Sequence, residues 1–113
     1  MGIQPRFKVM YLEEASIFLQ SLPVKARAKL QYNIVKAQFE NDPELFKKLT
    51  DDIWEFRTLY NGIAYRLFAF WDKQTGAMVV ATHGLIKKTQ KTPHNEIRHA
   101  ESIMKAYYEQ KDK

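Results

Sequence analysis

The apolar positions fall into short runs of period two and longer runs of helical period. Residues 6–11 alternate polar and apolar and predict a first strand. Residues 13–22 predict a short helix, with Glu13 and Glu14 in its first turn, where the helix dipole favours acids. Pro23 suits the first turn of a second helix, which runs to about Asn41 before Asn41-Asp42-Pro43 stops it. Within that helix Tyr32, Val35 and Phe39 follow at i, i+3 and i+7 as one apolar stripe, while Lys25, Lys29 and Lys36 gather on another face. Residues 43–52 predict a connection with one helical turn around Leu45-Phe46.

The densest strand signal follows. Residues 53–60 and 63–71 are rich in aromatic and branched side chains, and only Asn61-Gly62 separates them. A two-residue Asn-Gly loop predicts a type I′ hairpin. Residues 72–76 form the next turn, and residues 77 to about 85, with the run Met78-Val79-Val80-Ala81, predict another strand. A last helix is expected over residues 93–110, capped by Thr92, with Ile97, Ala100, Met104 and Tyr107 as its apolar stripe. The order is β-α-α-β-β-β-α on one mostly antiparallel sheet packed on helices, an α+β fold in one domain spanning residues 1–113.

Composition narrows the chemistry. The chain has 113 residues and no cysteine, which excludes a disulfide framework and a thiolate metal site. No stretch approaches the roughly 20 apolar residues of a membrane span, so a cytoplasmic protein without a membrane partner is expected. The formal charge is +5, and its distribution says more than its size. Between His83 and His99, Lys87, Lys88, Lys91 and Arg98 stand against Glu96 alone, while the acids gather at Glu13-Glu14, Glu40 to Glu44 and Asp51-Asp52. Three of those lysines lie where a strand ends and a helix begins, and a helix N-terminus offers unpaired N–H groups and partial positive charge. Such a place suits an anion, most simply a phosphate. The lysine face of the second helix reads as a solvated surface, or more sharply as a contact for nucleic acid or an acidic partner segment.

The Asn-Gly turn also sets a register. Tyr60 then pairs with Ile63, Leu59 with Ala64, Thr58 with Tyr65, and Arg57 with Arg66. Directly opposed side chains lie roughly 4.5–5.5 Å apart at Cβ, and like charges there are destabilising unless something negative sits between them. Glu55, diagonal to Arg66, could supply part of that charge, but two guanidiniums and three nearby lysines outnumber it. Arg57 and Arg66 are therefore expected to hold a phosphate, Lys87 and Arg98 to bind the substrate backbone, and Lys88 or Lys91 to stabilise charge or move a proton. His83 is a candidate general acid or base. His94 and His99 lie roughly 140° apart around a helix and carboxylates are scarce in the basic region, so no metal or other cofactor is expected.

Trp54-Glu55-Phe56-Arg57, Tyr65-Arg66-Leu67-Phe68 and His83-Gly84-Leu85-Ile86-Lys87-Lys88-Thr89-Gln90-Lys91-Thr92-Pro93, followed by Glu96-Ile97, resemble the phage-derived HigB-like toxins of the RelE/ParE superfamily. The resemblance covers nearly the whole chain and implies a RelE-like fold. It implies the toxin of a type II toxin–antitoxin pair, a metal-independent endoribonuclease (mRNA interferase) that cuts mRNA on the ribosome by 2′-hydroxyl attack, so inhibiting translation, and is silenced by a cognate helix-turn-helix antitoxin. Arg66 falls where such nucleases keep a catalytic arginine, Arg57 where they keep another basic strand residue, and Lys87-Lys88 near their basic pair. Two positions depart from that pattern: Glu55 stands where a lysine is common, and a C-terminal catalytic tyrosine has no counterpart near Glu96-Ile97-Arg98-His99. The alternatives are a ParE-like toxin that inhibits DNA gyrase without catalysis, or a basic nucleic-acid-binding module.

Overall fold

The structure, a computed structural model, describes residues 2–87 and 91–112. Its elements are β1 (Lys8–Tyr11), α1 (Glu13–Ser21), α2 (Val24–Phe39), β2 (Phe46–Lys48), β3 (Ile53–Tyr60), β4 (Ile63–Trp71), β5 (Met78–Lys87) and α3 (His94–Lys111). The strands form one sheet in the order β1-β5-β4-β3-β2. Every pairing is antiparallel except that of β1 with β5. The fold is α+β, with helices on both faces of a mostly antiparallel sheet.

One strand was not foreseen. The connection after α2 does contain a single turn, in which Asp42 accepts from the Leu45 and Phe46 amides, but the chain then extends into β2. Phe46 pairs with Phe56 and Lys47 with Glu55, making the order β-α-α-β-β-β-β-α. Thr50 turns the chain between β2 and β3: its hydroxyl oxygen accepts from the Asp52 and Ile53 amides. As an edge strand, β2 shows two exposed lysines to solvent, a charge pattern that discourages pairing with another sheet.

The hairpin of β3 and β4 has the expected register, Arg57 facing Arg66 included. Asn61 and Gly62 both have positive φ, 51° and 75°, as a type I′ turn requires. Residues then alternate between faces. Phe56, Tyr65 and Leu67 join Leu19, Leu30 and Ile34 in a core beneath α1 and α2. Ile53, Phe68 and Phe70 face the other way, against Ala100 of α3, with Ile97, Met104 and Tyr107 packed on them as the apolar stripe of that helix predicts.

The apolar stripe Tyr32-Val35-Phe39 lies on the outer side of α2. Tyr32, Val35 and Phe39 are exposed, and the helix faces its core with Ala26, Leu30, Asn33, Ile34 and Ala37 instead. By period alone α2 carries two apolar stripes, and the one with the larger side chains is the outer one. Asn33 fixes the inner face, donating from Nδ2 to Thr58 Oγ1 of β3 at 3.0 Å in a buried setting. Arg6 closes the far end of α2 by donating to the Ala37 and Glu40 carbonyls at 2.8 and 3.1 Å, a placement the helix dipole favours. On the other side of the helix layer, Gly84 lies so close to Phe18 of α1 that a Cβ there would enter the ring. No helix among the described residues is long and apolar enough to cross a membrane.

Candidate functional site

Because α3 covers only the half of its sheet face around Ile53, Phe68 and Phe70, the other half carries the polar residues. Glu55 and Arg57 of β3, Arg66 of β4 and Lys87 of β5 meet there, and Lys47 of β2 stands in register opposite Glu55. The organising group is the carboxylate of Glu55, only 2% exposed. Its Oε1 lies 3.4 Å from Arg66 Nε and 3.6 Å from Arg57 Nε. Its Oε2 accepts from the Thr92 hydroxyl at 2.8 Å, and Thr92 in turn accepts from Lys87 Nζ at 3.1 Å.

One carboxylate does not satisfy this group of cations. The Nε atoms of Arg57 and Arg66 are buried and have no hydrogen-bond partner among the described residues, since Glu55 stands beyond good hydrogen-bond reach of both. Burial lowers the pKa of the Arg66 guanidinium; Glu55 pulls it back up and Arg57 pushes it further down. Burial likewise lowers the pKa of Lys87, with Arg66, Arg57 and Lys47 acting in the same direction and Glu55 against them. A cavity of about 260 Å³ opens beside the two arginines, lined by Glu44, Arg57, Thr58, Leu59, Ala64 and Arg66. That is smaller than the roughly 300–1,000 Å³ of a pocket for a whole small molecule, so it suits one anionic group of a larger ligand.

The structure brings together Arg57, Arg66 and Lys87. Lys91 and Arg98 are exposed, between β5 and α3 and on α3, and Lys88 lies outside the described residues. His83 is placed elsewhere. Thr82 and His83 both stand opposite Phe68, because the β4–β5 register shifts between Leu67 and Ala69. This bulge turns the imidazole under α3. There it stacks on Phe68 with centroids 4.8 Å apart and meets the His99 ring at 4.5 Å. Its Nδ1 is 3.1 Å from Thr82 Oγ1 and its Nε2 3.3 Å from Glu96 Oε1. His83 is 6% exposed, and both of its ring nitrogens are engaged. Burial lowers its pKa, the neighbouring His99 adds to that, and Glu96 and Glu14 oppose it.

Thr92 does not form the cap expected of it. Pro93, not Thr92, occupies the N-cap of α3, and no side chain bonds the cap. The threonine hydroxyl is spent on Glu55 and Lys87 instead. Lys47 was missed along with β2, and the clue was Thr50-Asp51-Asp52, a turn signature between two short runs.

The family described as "Phage derived protein Gp49-like (DUF891)" matches residues 17–105, which include every strand of the site. No curated protein matches the chain. Among solved structures, a chain of the toxin–antitoxin complex RelBE2 from Mycobacterium tuberculosis is similar in fold, with a TM-score of 0.51 and 21% identity. The match covers 78% of this chain and 98% of that one.

Proposed function

The chain belongs to the phage-derived Gp49-like family, a family of RelE/HigB-type toxins, and from that premise we propose that it is the toxin of a two-gene pair that cuts mRNA in the cytoplasm, on the ribosome. The observation that carries the cutting activity is the facing pair Arg57 and Arg66 lining an open cavity, with the one buried carboxylate of Glu55 between them. Arg57, Arg66 and Lys87 outnumber that carboxylate, which suits the site to one phosphate.

Cleavage by the substrate's own 2′-hydroxyl needs no covalent protein intermediate. The 2′-oxygen attacks phosphorus, the bond to the 5′-oxygen breaks, and the products are a 2′,3′-cyclic phosphate and a free 5′-hydroxyl. In this reading the two guanidinium forks hold the phosphate and stabilise the charge that builds on it, an effect worth about 10²–10³ in rate per preorganised donor. Lys87, whose pKa is lowered by burial and neighbouring cations, donates the proton to the leaving 5′-oxygen. Lys88 or Lys91 on the following segment stabilises charge or serves the other proton transfer, and Arg98 guides the backbone. His83 is assigned to packing, since its ring is covered by Phe68 and His99. A partner protein, of helix-turn-helix type, silences the toxin.

Arg66→Ala is expected to abolish growth arrest on induction while the folded chain still binds its antitoxin. Arg57→Ala should act in the same direction. Mapping 5′ ends of cellular mRNA after brief induction should show new ends with the wild-type chain and none with Arg66→Ala. Full toxicity of both variants would end the nuclease reading.

A further inference from the structure

The outer face of α2 carries more apolar surface than a solvated helix needs. Val24, Ala28, Tyr32, Val35 and Phe39 succeed one another at spacings of four, four, three and four residues, an arc roughly 80° wide at 100° per residue. All five are exposed, with Val24 at 73%, Tyr32 at 63%, Val35 at 52% and Phe39 at 45%. Apolar residues scattered singly on a surface need no explanation, but a continuous stripe does. It points directly away from the buried row Ala26, Leu30, Asn33, Ile34 and Ala37. Along one border run Lys25, Lys29 and Lys36, also exposed, with Lys29 Nζ 6.0 Å from the centre of the Tyr32 ring.

We propose that this face of α2 seats an acidic amphipathic helix of the antitoxin. The inference rests on the toxin–antitoxin reading and adds the surface and the chemistry of the partner. Apolar anchors at these spacings match the face of a second helix laid along the first. The charge selects which helix. From Val24 to Phe39 there are four cations and no acid, so a second copy of this chain would bring cations against cations, whereas an acidic helix would pair with the lysine row. Nucleic acid would use the lysines but leave the apolar stripe uncovered. The stripe also lies across the sheet from the arginine pair, because α2 packs on the Phe56–Leu67 face and Arg57 and Arg66 occupy the other. Docking here therefore does not depend on the cleavage site.

The test uses the full chain and the purified product of the reading frame adjoining its gene. Tyr32→Ser/Val35→Ser/Phe39→Ser should weaken that complex roughly 30-fold or more, as loss of central anchors does, with circular dichroism and growth arrest unchanged. Lys25→Glu/Lys29→Glu/Lys36→Glu should slow association about 10-fold or more at low salt and flatten its salt dependence. Retained affinity in the folded serine variant overturns the proposal. So does a dimer of the isolated chain that the same substitutions dissociate, which would make a second copy the occupant. Loss of growth arrest by the serine variant without any partner overturns it in favour of a ribosome or RNA contact. If the wild-type chain neither arrests growth nor binds the neighbouring product, the toxin–antitoxin reading fails, and the docking site with it; failure in the variants alone leaves that reading standing.

Discussion

Glu55 lies between Arg57 and Arg66 with 2% of its surface exposed, and that position decides how the site survives without a ligand. Removing one member of a buried ionic group is costly, about 3–5 kcal/mol, because the remaining charges lose compensation. Glu55→Gln keeps the shape and removes the charge, leaving Arg57, Arg66 and Lys87 to repel one another. The variant should lose about 3 kcal/mol of stability in chloride buffer. An anion in the cavity replaces the missing charge, so inorganic phosphate should raise the melting temperature of Glu55→Gln more than that of the wild-type chain. An equal response in both proteins would show that the cavity does not hold phosphate next to these arginines. At this scale the sequence was legible wherever a short-range rule fixed geometry. Asn61-Gly62 sets a two-residue turn, the turn sets the register, and the register places Arg57 against Arg66. It was not legible at Thr92, where cap preference pointed to the backbone while Glu55, 37 residues away in sequence, took the hydroxyl. Nor was it legible at His83, whose face depends on a bulge with no residue signature of its own.

Among the elements, α3 shows how a helix is fixed to a sheet at a distance from the chemistry. Its last turns close on Asp72, at the start of the β4–β5 turn. Tyr107 donates its hydroxyl proton to Asp72 Oδ2 at 2.6 Å, and Lys111 Nζ approaches the same oxygen to 2.7 Å. The Gln74 and Thr75 amides donate to Oδ1 at 2.8 and 3.1 Å. Burial alone would raise the Asp72 carboxyl, but these four donors outweigh it and hold the group well below the usual carboxylate range. A depressed folded pKa contributes stability above the unfolded value, about 3.9, and that contribution fades as pH falls below it. Asp72→Asn should therefore cost about 2–3 kcal/mol at neutral pH, and the gap to wild type in denaturant titrations should narrow as pH drops below about 4. A gap independent of pH would mean that the carboxylate charge contributes nothing. The element scale also shows where pattern reading loses direction. Spacing reveals that α2 has apolar stripes, yet small residues such as Ala26 and Ala37 can be the ones that approach the sheet, so side-chain size is a poor guide to which stripe faces inward.

At the scale of the molecule, the sheet separates two unequal cores. The side under α1 and α2 buries Phe7, Leu30, Ile34, Phe46, Phe56 and Leu67 among others. The side under α3 buries Ile53, Phe68, Phe70, Val80 and Ala100, with the remaining contacts only partly buried. The faces of the central hairpin were legible because its two-residue turn sets the register of strands 53–60 and 63–71; the edge strand β2 was not, and neither was the imbalance, since it depends on how far α3 reaches across the sheet. Local stability follows buried contact, so α3 should open before the strands beneath it. His83 adds a pH dependence to that opening. The imidazole is enclosed by Phe68, His99, Thr82 and Glu96, with the Glu14 charge nearby, and its folded pKa is depressed by burial first and by His99 next. Its stabilising effect is thus present above the unfolded value, about 6.5, and lost as pH falls below that. Native-state hydrogen exchange should find α3 amides with lower opening free energy than those of β3 and β4 at neutral pH. Exchange rates corrected for intrinsic pH dependence should place the two regions further apart at pH 5.5, and His83→Gln should remove the additional separation. If α3 exchanges only with the strands, through complete unfolding at both pH values, the two cores form one cooperative unit and the smaller one is not the weaker.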